Sequence, residues 1–271
     1  MSKPAALKVG PFTTNLLVKK RYVLFYIFLF WISFFIVQFE FWIYYIFLFD
    51  ELFYFIVFLP FIILVMYISM ILVSLLFAKV FLICVNLIHT PKEGVFLRTE
   101  SDIDYRYWSI RNTIKKWPIW LSHKIPFPFM DNICLKVFNV KTKFSNSLFE
   151  GWVDTEFIEF GKNVTVGQGS IIQSAVIAGN LFIIRKTKIN DNAIIGAHSI
   201  VMPGTEVGKN CILSASSVTT VNQELEEGWI YSGIPAKKDK KNRFFEDGLE
   251  DILRNPERLE IYMEQLNKNE K

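Results

Sequence analysis

The pattern of apolar residues divides the chain into two unlike halves, and the first half contains two long apolar runs. Between residues 22 and 49 only Gln38 and Glu40 are strongly polar, and residues 52–78 form a second such run. About 20 apolar helical residues cross the hydrocarbon of a bilayer, so this half predicts two transmembrane helices within 22–89. The first run exceeds the apolar part of a signal peptide and no small-residue cleavage site follows it, so a cleaved leader is not expected.

In the second half, an apolar residue returns every six positions. Neither a helix nor an ordinary sheet has this period. Short strands separated by tight turns do have it, because three strands close one triangular coil and successive coils stack. The pattern therefore predicts a β-helix. The apolar positions are Phe160, Val166, Ile172, Ile183, Ile189, Ile195, Val201, Val207 and Leu213.

The residues between the apolar positions predict the corners of these coils. The third residue after an apolar position is of a type that tolerates positive φ. The fourth has a small side chain that fits inside a crowded corner, as Ser199 and Thr205 show. Each hexad thus encodes its own turn. The proposed positive-φ residues are Asn163, Gly169, Asn192, His198, Gly204, Asn210 and Ser216.

The repeats resemble a known family. The run INDNAIIGAHSIVMPGTEVGKNCILSASSVTT, followed by SGIPAKK at 232–238, resembles the hexapeptide-repeat acyltransferases, which fold as left-handed parallel β-helices. The hand is implied by the resemblance alone, since it opposes the usual right-handed crossover. The apolar front half resembles membrane-anchored relatives, including the β-helix regions of poly-amino-acid synthetases. The resemblance implies a homotrimer with CoA in the groove between neighbouring prisms.

These patterns together predict two transmembrane α-helices followed by a left-handed parallel β-helix and a C-terminal amphipathic helical tail. The tail is expected to form one or two helices broken near Pro256. Five segments result: a basic flank at 1–21, the two-span domain at 22–89, an interfacial amphipathic connector at 90–139, the β-helix at 140–238 and the tail at 239–271.

Charge and composition add a location. Lys19, Lys20 and Arg21 precede the first span and Lys79 ends the second, whereas the short connection between the spans is acidic. Basic flanks stay on the cytoplasmic side, so we expect a multi-pass protein of the cell membrane with a cytoplasmic β-helix. The chain is 52% hydrophobic, with a mean hydropathy of +0.30, which is too apolar for a soluble enzyme of this length. Its three cysteines indicate no disulfide framework.

The connector mixes tryptophans with basic residues between positions 105 and 121. Such a mixture suits the lipid headgroup layer, so a membrane-lipid contact is expected. Nucleic-acid binding also uses aromatic and basic residues, but beside two spans it is not expected. Glu40 is either an intramembrane carboxylate on a transport pathway or a residue near the outer interface.

The resemblance also implies contacts to CoA or acetyl-CoA. The family's Gly-Ala-Gly-Ser-Val-Val-Thr-Lys run falls on residues 214–221, where its lysine becomes Val221. The lysines after the repeats are then the candidates to bind the CoA phosphates, with a solvated linker as the alternative. The implied CoA contacts are Ala215, Ser217, Thr220, Pro235, Ala236, Lys237 and Lys238.

Acyl transfer from a thioester needs a base for the acceptor. The chain has three histidines, and His198 is the one within the repeats. It is either the catalytic base or a corner residue. The family often supplies this histidine from a loop extruded from a coil, and residues 173–189 contain none. Asp154 and Glu156 are therefore kept as alternative bases, and His123 is either an interfacial residue or one that faces a membrane acceptor.

The leading prediction is a membrane-anchored, CoA-dependent acyltransferase that moves an acetyl group to a lipid-linked or membrane-associated hydroxyl or amine. Direct attack on the thioester is favoured over an acyl-enzyme, because no Cys or Ser lies beside a repeat histidine. A zinc hydrolase of the γ-carbonic anhydrase kind needs three converging histidines, so no metal is expected. The remaining alternative is a non-catalytic trimeric membrane scaffold or CoA-binding regulator.

Overall fold

A helical hairpin forms the first part of the fold. The computed structural model describes residues 19–124, 127, 129–148, 151–243 and 256–269. After a short 3-10 turn, α1 (Val23–Leu48) and α2 (Leu52–Ile88) run antiparallel. Both helices are long and apolar enough to cross a bilayer. Glu40 of α1 accepts a hydrogen bond from the hydroxyl of Ser69 in α2, so this carboxylate joins the two helices.

A third helix lies between the hairpin and the rest of the protein. α3 (Ile103–Ser122) begins at Asp102, whose carboxylate accepts a hydrogen bond from the backbone N–H of Tyr105 at 2.9 Å. Trp117 packs edge-on against rings of α1 and is 4% exposed, whereas Trp108 packs on Phe182 of the β-helical half. These rings of the expected interfacial element are therefore buried by protein. The shorter α4 (Phe129–Val137) follows.

Three parallel sheets then form a three-sided β-helix. We call them the first, second and third faces in the order in which the chain visits them. The first face contains β2 (Trp152–Val153), β5 (Ile171–Ile172) and β10 (Ile200–Val201). The second contains β3 (Ile158–Phe160), β8 (Thr187–Ile189), β11 (Glu206–Val207) and β13 (Glu224–Leu225). The third contains β4 (Thr165–Val166), β9 (Ile194–Ile195), β12 (Ile212–Leu213) and β14 (Trp229–Ser232).

The period of six is confirmed for the coils, with one exception. Eight of the nine predicted apolar positions are buried in one core cluster. Ile183 is the exception, because an antiparallel hairpin interrupts the second coil. Its strands β6 (Ala175–Ala178) and β7 (Leu181–Ile184) pair with each other, and β7 also pairs with β1 (Gly94–Leu97). Ile183 therefore lies in a separate cluster, and the prediction that it is a coil position was wrong.

The predicted corners are also confirmed. All seven residues proposed for positive φ have it, with values from 53° at Asn210 to 78° at Gly204. Asn222 and Gly228 continue the series in the last coil. One corner carries an asparagine ladder in which Asn192 accepts a hydrogen bond from Asn163 and donates one to Asn210.

The last strand differs in direction from the coils. β15 (Lys237–Lys241) pairs antiparallel with β14, so a regular strand extends past residue 238. Further along, α5 (Pro256–Asn269) begins at the proline that was expected to break the tail. The apolar tail residues at 244–253 lie outside the described residues, and docking of the tail on the β-helix stays a prediction.

Candidate active site

The turns from the third face to the first stack in one column, which we call the 3–1 corner: residues 167–170, 196–199, 214–217 and 232–235. Backbone hydrogen bonds join successive turns. The N–H of His198 donates to the carbonyl of Gln168 at 2.9 Å, and the N–H of Ser216 donates to that of Ala197 at 2.8 Å. The column therefore fixes the heights of these side chains relative to one another.

His198 lies in this column with an exposed side chain and a φ of 57°. A Cβ added at Gly169, in the coil before it, would lie 2.5 Å from His198 Nδ1. The imidazole therefore covers Gly169, and a side chain at that position would displace the ring. The backbone fits the corner role of His198, while the exposed ring stays available to a ligand.

The same corner holds two of the predicted CoA contacts, in different environments. Ala215 is exposed one coil after His198. Ser217 is buried, and its hydroxyl accepts a hydrogen bond from the backbone N–H of Gly233 at 3.1 Å. The structure thus brings His198 and Ala215 to one exposed column, whereas the Ser217 side chain holds the turn that contains Gly233.

The other predicted contacts surround the end of the last coil. Pro235 follows Gly233 in the 3–1 corner, and Ala236 is buried in the core of the coils. Thr220 lies at a different corner, between the first and second faces. Gln223 connects the two regions, since its side chain accepts from the Thr220 N–H and donates to the Ala236 carbonyl, each at 2.8 Å. No motif or spacing in the sequence indicates this role of Gln223.

The two lysines of the predicted phosphate contact lie on β15. The ammonium of Lys238 bonds to a carboxylate oxygen of Glu226 and lies 3.8 Å from the centre of the Trp229 ring. Lys237 is exposed on the neighbouring position. Of the pair, Lys238 would have to leave Glu226 in order to contact a CoA phosphate.

Glu156 is held in a buried ion-pair cluster at the corner between the first and second faces. Its Oε1 accepts from Arg111 Nε at 2.8 Å and from Lys115 Nζ at 2.6 Å. The two cationic side chains are 2% and 5% exposed. Burial raises the pKa of Glu156, but the attraction of Lys115 and Arg111 outweighs burial and the net pKa falls below its ordinary value. The charged carboxylate therefore joins α3 to the first coil.

Asp154 lies near Glu156, at the far end of the first face from His198. One carboxylate oxygen accepts from the backbone N–H of Ser174 at 2.9 Å. Burial raises the pKa of Asp154 to about 6, against the lowering effect of the Ser174 and Ala175 N–H groups. The structure therefore does not bring Asp154 and Glu156 to His198, because the strands of the first face separate the two corners.

Two histidine–aspartate pairs outside the repeats were not predicted. His123 Nδ1 lies 3.2 Å from an oxygen of Asp131, and the two side chains are 26% and 3% exposed. The other Asp131 oxygen accepts from the Ser122 hydroxyl, and the imidazole stacks on Trp152 of the first coil. The second pair joins His89 Nε2 to Asp104 at 3.3 Å. The sequence contains both histidines but no spacing that indicates their carboxylate partners.

Residues 186–220 match the family described as bacterial transferase hexapeptide (six repeats). This segment therefore resembles the hexapeptide repeats of bacterial transferases. It covers β8 to β12 and includes His198 and Ala215. Among the described residues, no cluster of three or more His, Cys, Asp or Glu side chains is arranged to hold a metal ion.

Several solved structures are similar to part of the chain. A mutant of AntD, an N-acyltransferase from Bacillus cereus, in complex with dTDP-4-amino-4,6-dideoxyglucose and CoA, is 25% identical, with a TM-score of 0.31 over 35% of this chain and 57% of that one. A maltose O-acetyltransferase from Clostridium difficile is 18% identical, with a TM-score of 0.37 over 47% and 83%.

A galactoside acetyltransferase in complex with CoA is 15% identical, with a TM-score of 0.35 over 46% of this chain and 80% of that one. The chain thus spans little more than half the length of the AntD structure. No curated protein matches the chain.

Proposed function

We propose that this protein is a membrane-anchored, CoA-dependent acyltransferase. The observation that carries the proposal is the transferase hexapeptide segment at 186–220, whose strands form regular stacked coils. Its exposed 3–1 corner presents His198 and Ala215 in adjacent coils. A thioester bound along this corner would have an imidazole within its reach.

The assembly in this proposal is a homotrimer of left-handed β-helices on the cytoplasmic side of the cell membrane. CoA occupies the groove between neighbouring prisms, with Ala215 along its pantetheine arm and Lys237 at its phosphates. The two apolar helices anchor the trimer. The basic residues at the ends of these helices support the cytoplasmic orientation.

In the proposed reaction the acceptor attacks the thioester carbonyl directly. The His198 imidazole takes the proton of the acceptor hydroxyl or amine as the new C–O or C–N bond forms. The tetrahedral intermediate then collapses, the C–S bond breaks, and the leaving CoA thiolate takes the proton that His198 holds, which returns the imidazole to its neutral form. Acetyl is the proposed acyl group, and the acceptor is lipid-linked or membrane-associated, because the anchor concentrates the enzyme at such substrates.

A substitution at His198 tests the base. His198→Asn preserves the corner, since asparagine occupies the same positive-φ slot at Asn192 and Asn210. Release of free CoA from acetyl-CoA, with a membrane lipid extract as the acceptor source, is measured on the protein in detergent. We expect the variant to be slower by about 10² to 10⁴, with unchanged CoA affinity. Unchanged turnover would contradict the role of His198 and favour the His123–Asp131 pair.

The second candidate function is a non-catalytic trimeric scaffold that binds CoA. Two observations favour it: Glu156 is held by Arg111 and Lys115, and the hairpin at 175–184 has no histidine. The scaffold predicts CoA binding without release of free CoA in any acceptor mixture, so the same assay separates the two functions.

A further inference from the structure

A cavity of about 160 Å³ lies where α2, α3 and the first coil of the β-helix meet. α2 and α3 contribute cationic and amide side chains to its wall, and the first coil contributes Glu156. Leu82, Ile83 and Phe138 are among the apolar residues of the lining. The charged and amide side chains of the lining are Lys79, Asn86, Arg111, Lys115, Asn139 and Glu156.

The charges of this lining do not balance. Lys79, Arg111 and Lys115 face one carboxylate, Glu156, among the described residues of the wall, so the formal charge of the lining is about +2. Burial lowers the pKa of Lys115, and Asp154, just outside the wall, also attracts this ammonium and reduces the excess to about +1. Glu156 already pairs with both Arg111 and Lys115. Cationic groups removed from water without a counter-charge are costly. An anion in the cavity would offset this cost.

The lining also offers unused hydrogen-bonding groups. Lys79 Nζ donates to two neutral acceptors, the carbonyl of Val137 at 2.7 Å and the amide oxygen of Asn139 at 2.9 Å. An ammonium has a third N–H to donate. The buried Oδ1 of Asn86 has no hydrogen-bond partner among the described residues. The cavity therefore suits a ligand with anionic oxygens and one O–H donor, which a singly protonated phosphate monoester has.

The position of the cavity relates it to the membrane anchor. Phe81, two residues from Lys79, packs on Phe25 and Phe28 of α1. These three rings line one groove together with Arg21, which precedes α1. The cavity therefore lies at the basic end of the helical hairpin, where lipid phosphates gather in the proposed topology.

An exposed apolar stripe leads along α2 to the same place. Leu76, Val80, Ile83 and Leu87 are all exposed and share one helix face, and Ile83 also lines the cavity. This stripe continues the apolar surface of the predicted span. A lipid whose acyl chains lie along this stripe would place its phosphate at the cavity mouth. A soluble phosphate has no acyl chains and would make no contact with the stripe.

We propose that this cavity binds the phosphate group of a membrane lipid, with Lys79, Arg111 and Lys115 around the anion and Asn86 as the acceptor for its hydroxyl. The inference rests on the membrane anchoring in the proposed function, but not on acyl transfer. Binding is measured without acetyl-CoA, so failure of the lipid site and failure of the enzyme are separate results.

The test uses the full chain in detergent and titration calorimetry with dioctanoyl phosphatidic acid, dioctanoyl phosphatidylcholine and inorganic phosphate. We expect phosphatidic acid to bind, phosphatidylcholine to bind at least about tenfold more weakly, and Lys79→Gln to lose at least about tenfold in affinity, the scale of one charge-assisted hydrogen bond. Lys79 makes no ion pair among the described residues, so this variant is expected to fold.

Lys116→Gln is the matched control. It also removes one lysine charge, but from a residue of α3 that does not line the cavity. We expect it to bind phosphatidic acid like the wild type. Equal affinity of the wild type and Lys79→Gln would overturn the proposal. Inorganic phosphate binding as tightly as phosphatidic acid would overturn the lipid as its source.

Discussion

The contact between His198 and Gly169 predicts an unequal cost for two glycine substitutions. Gly169 has φ 69° and Gly179 has φ 61°, so alanine at either position adopts a similar unfavourable backbone. At Gly179 the added Cβ meets nothing within 4 Å, whereas at Gly169 it lies 2.5 Å from His198 Nδ1. The difference between the two variants therefore isolates the displaced imidazole.

The magnitudes follow from these two terms. A left-handed backbone costs a non-glycine residue about 1 to 2 kcal/mol, which is the whole expected cost of Gly179→Ala. Because the imidazole is an exposed side chain that is able to turn aside, its displacement adds the cost of an unfavourable rotamer, about 0.5 to 1.5 kcal/mol. At roughly 2 to 4 °C per kcal/mol, Gly169→Ala should melt some 1 to 6 °C below Gly179→Ala.

Thermal melting of the detergent-solubilised protein, followed by tryptophan fluorescence, measures this difference. Repeating both substitutions in a His198→Ala background supplies the control. Without the imidazole the extra cost at Gly169 should vanish, so the two glycine variants should melt alike. An extra cost that persists without His198, or no extra cost in the wild type, would refute the position assigned to the ring.

Three further predictions concern charged side chains. Glu156→Gln should destabilise the fold by roughly 3 to 5 kcal/mol, because it leaves two buried cations without their carboxylate. The control Glu159→Gln breaks only partly exposed pairs and should cost about 1 kcal/mol or less. Equal melting temperatures of the two variants would contradict this difference. The pKa of Asp154 is raised to about 6, so ionisation of this carboxyl opposes folding as pH rises through that value. The melting temperature of Asp154→Asn relative to wild type should therefore increase from pH 4 to pH 8. A decrease would contradict the raised pKa. Changing Lys237 and Lys238 together to alanine should weaken CoA binding by roughly 1 to 3 kcal/mol in calorimetry, and unchanged affinity would favour a solvated role for both.

The coils could be predicted from the sequence because each corner imposes a local requirement. A residue with φ near 55° favours Asn, His or Gly wherever it occurs, so Asn192 and His198 mark their turns without knowledge of the fold. The prediction for Ile183 was wrong because this residue also lies six positions before Ile189 and so fits the period of the coils. The hairpin that contains Ile183 leaves the coil and rejoins it only at Thr187, and spacing alone does not detect such an insertion.

The site could be predicted only in part, because its remaining contacts join distant segments. Glu156 meets Arg111 and Lys115 across 45 and 41 residues, and no repeat connects their positions. No repeat or motif connects the positions of His123 and Asp131 either. The tryptophans of α3 suit a headgroup layer or a helix packed between two bodies equally well, and only the packing of Trp108 on Phe182 distinguishes these environments.

Mass spectrometry of membrane lipids and glycans from cells with the protein, without it, and with His198→Asn tests acyl transfer most directly. We predict that one class of membrane-associated molecule carries an acetyl group in cells with the wild-type protein and lacks it in cells without the protein. The same class should be acetylated far less in cells with the variant. Identical lipid and glycan profiles in all three would contradict acyl transfer and favour the scaffold.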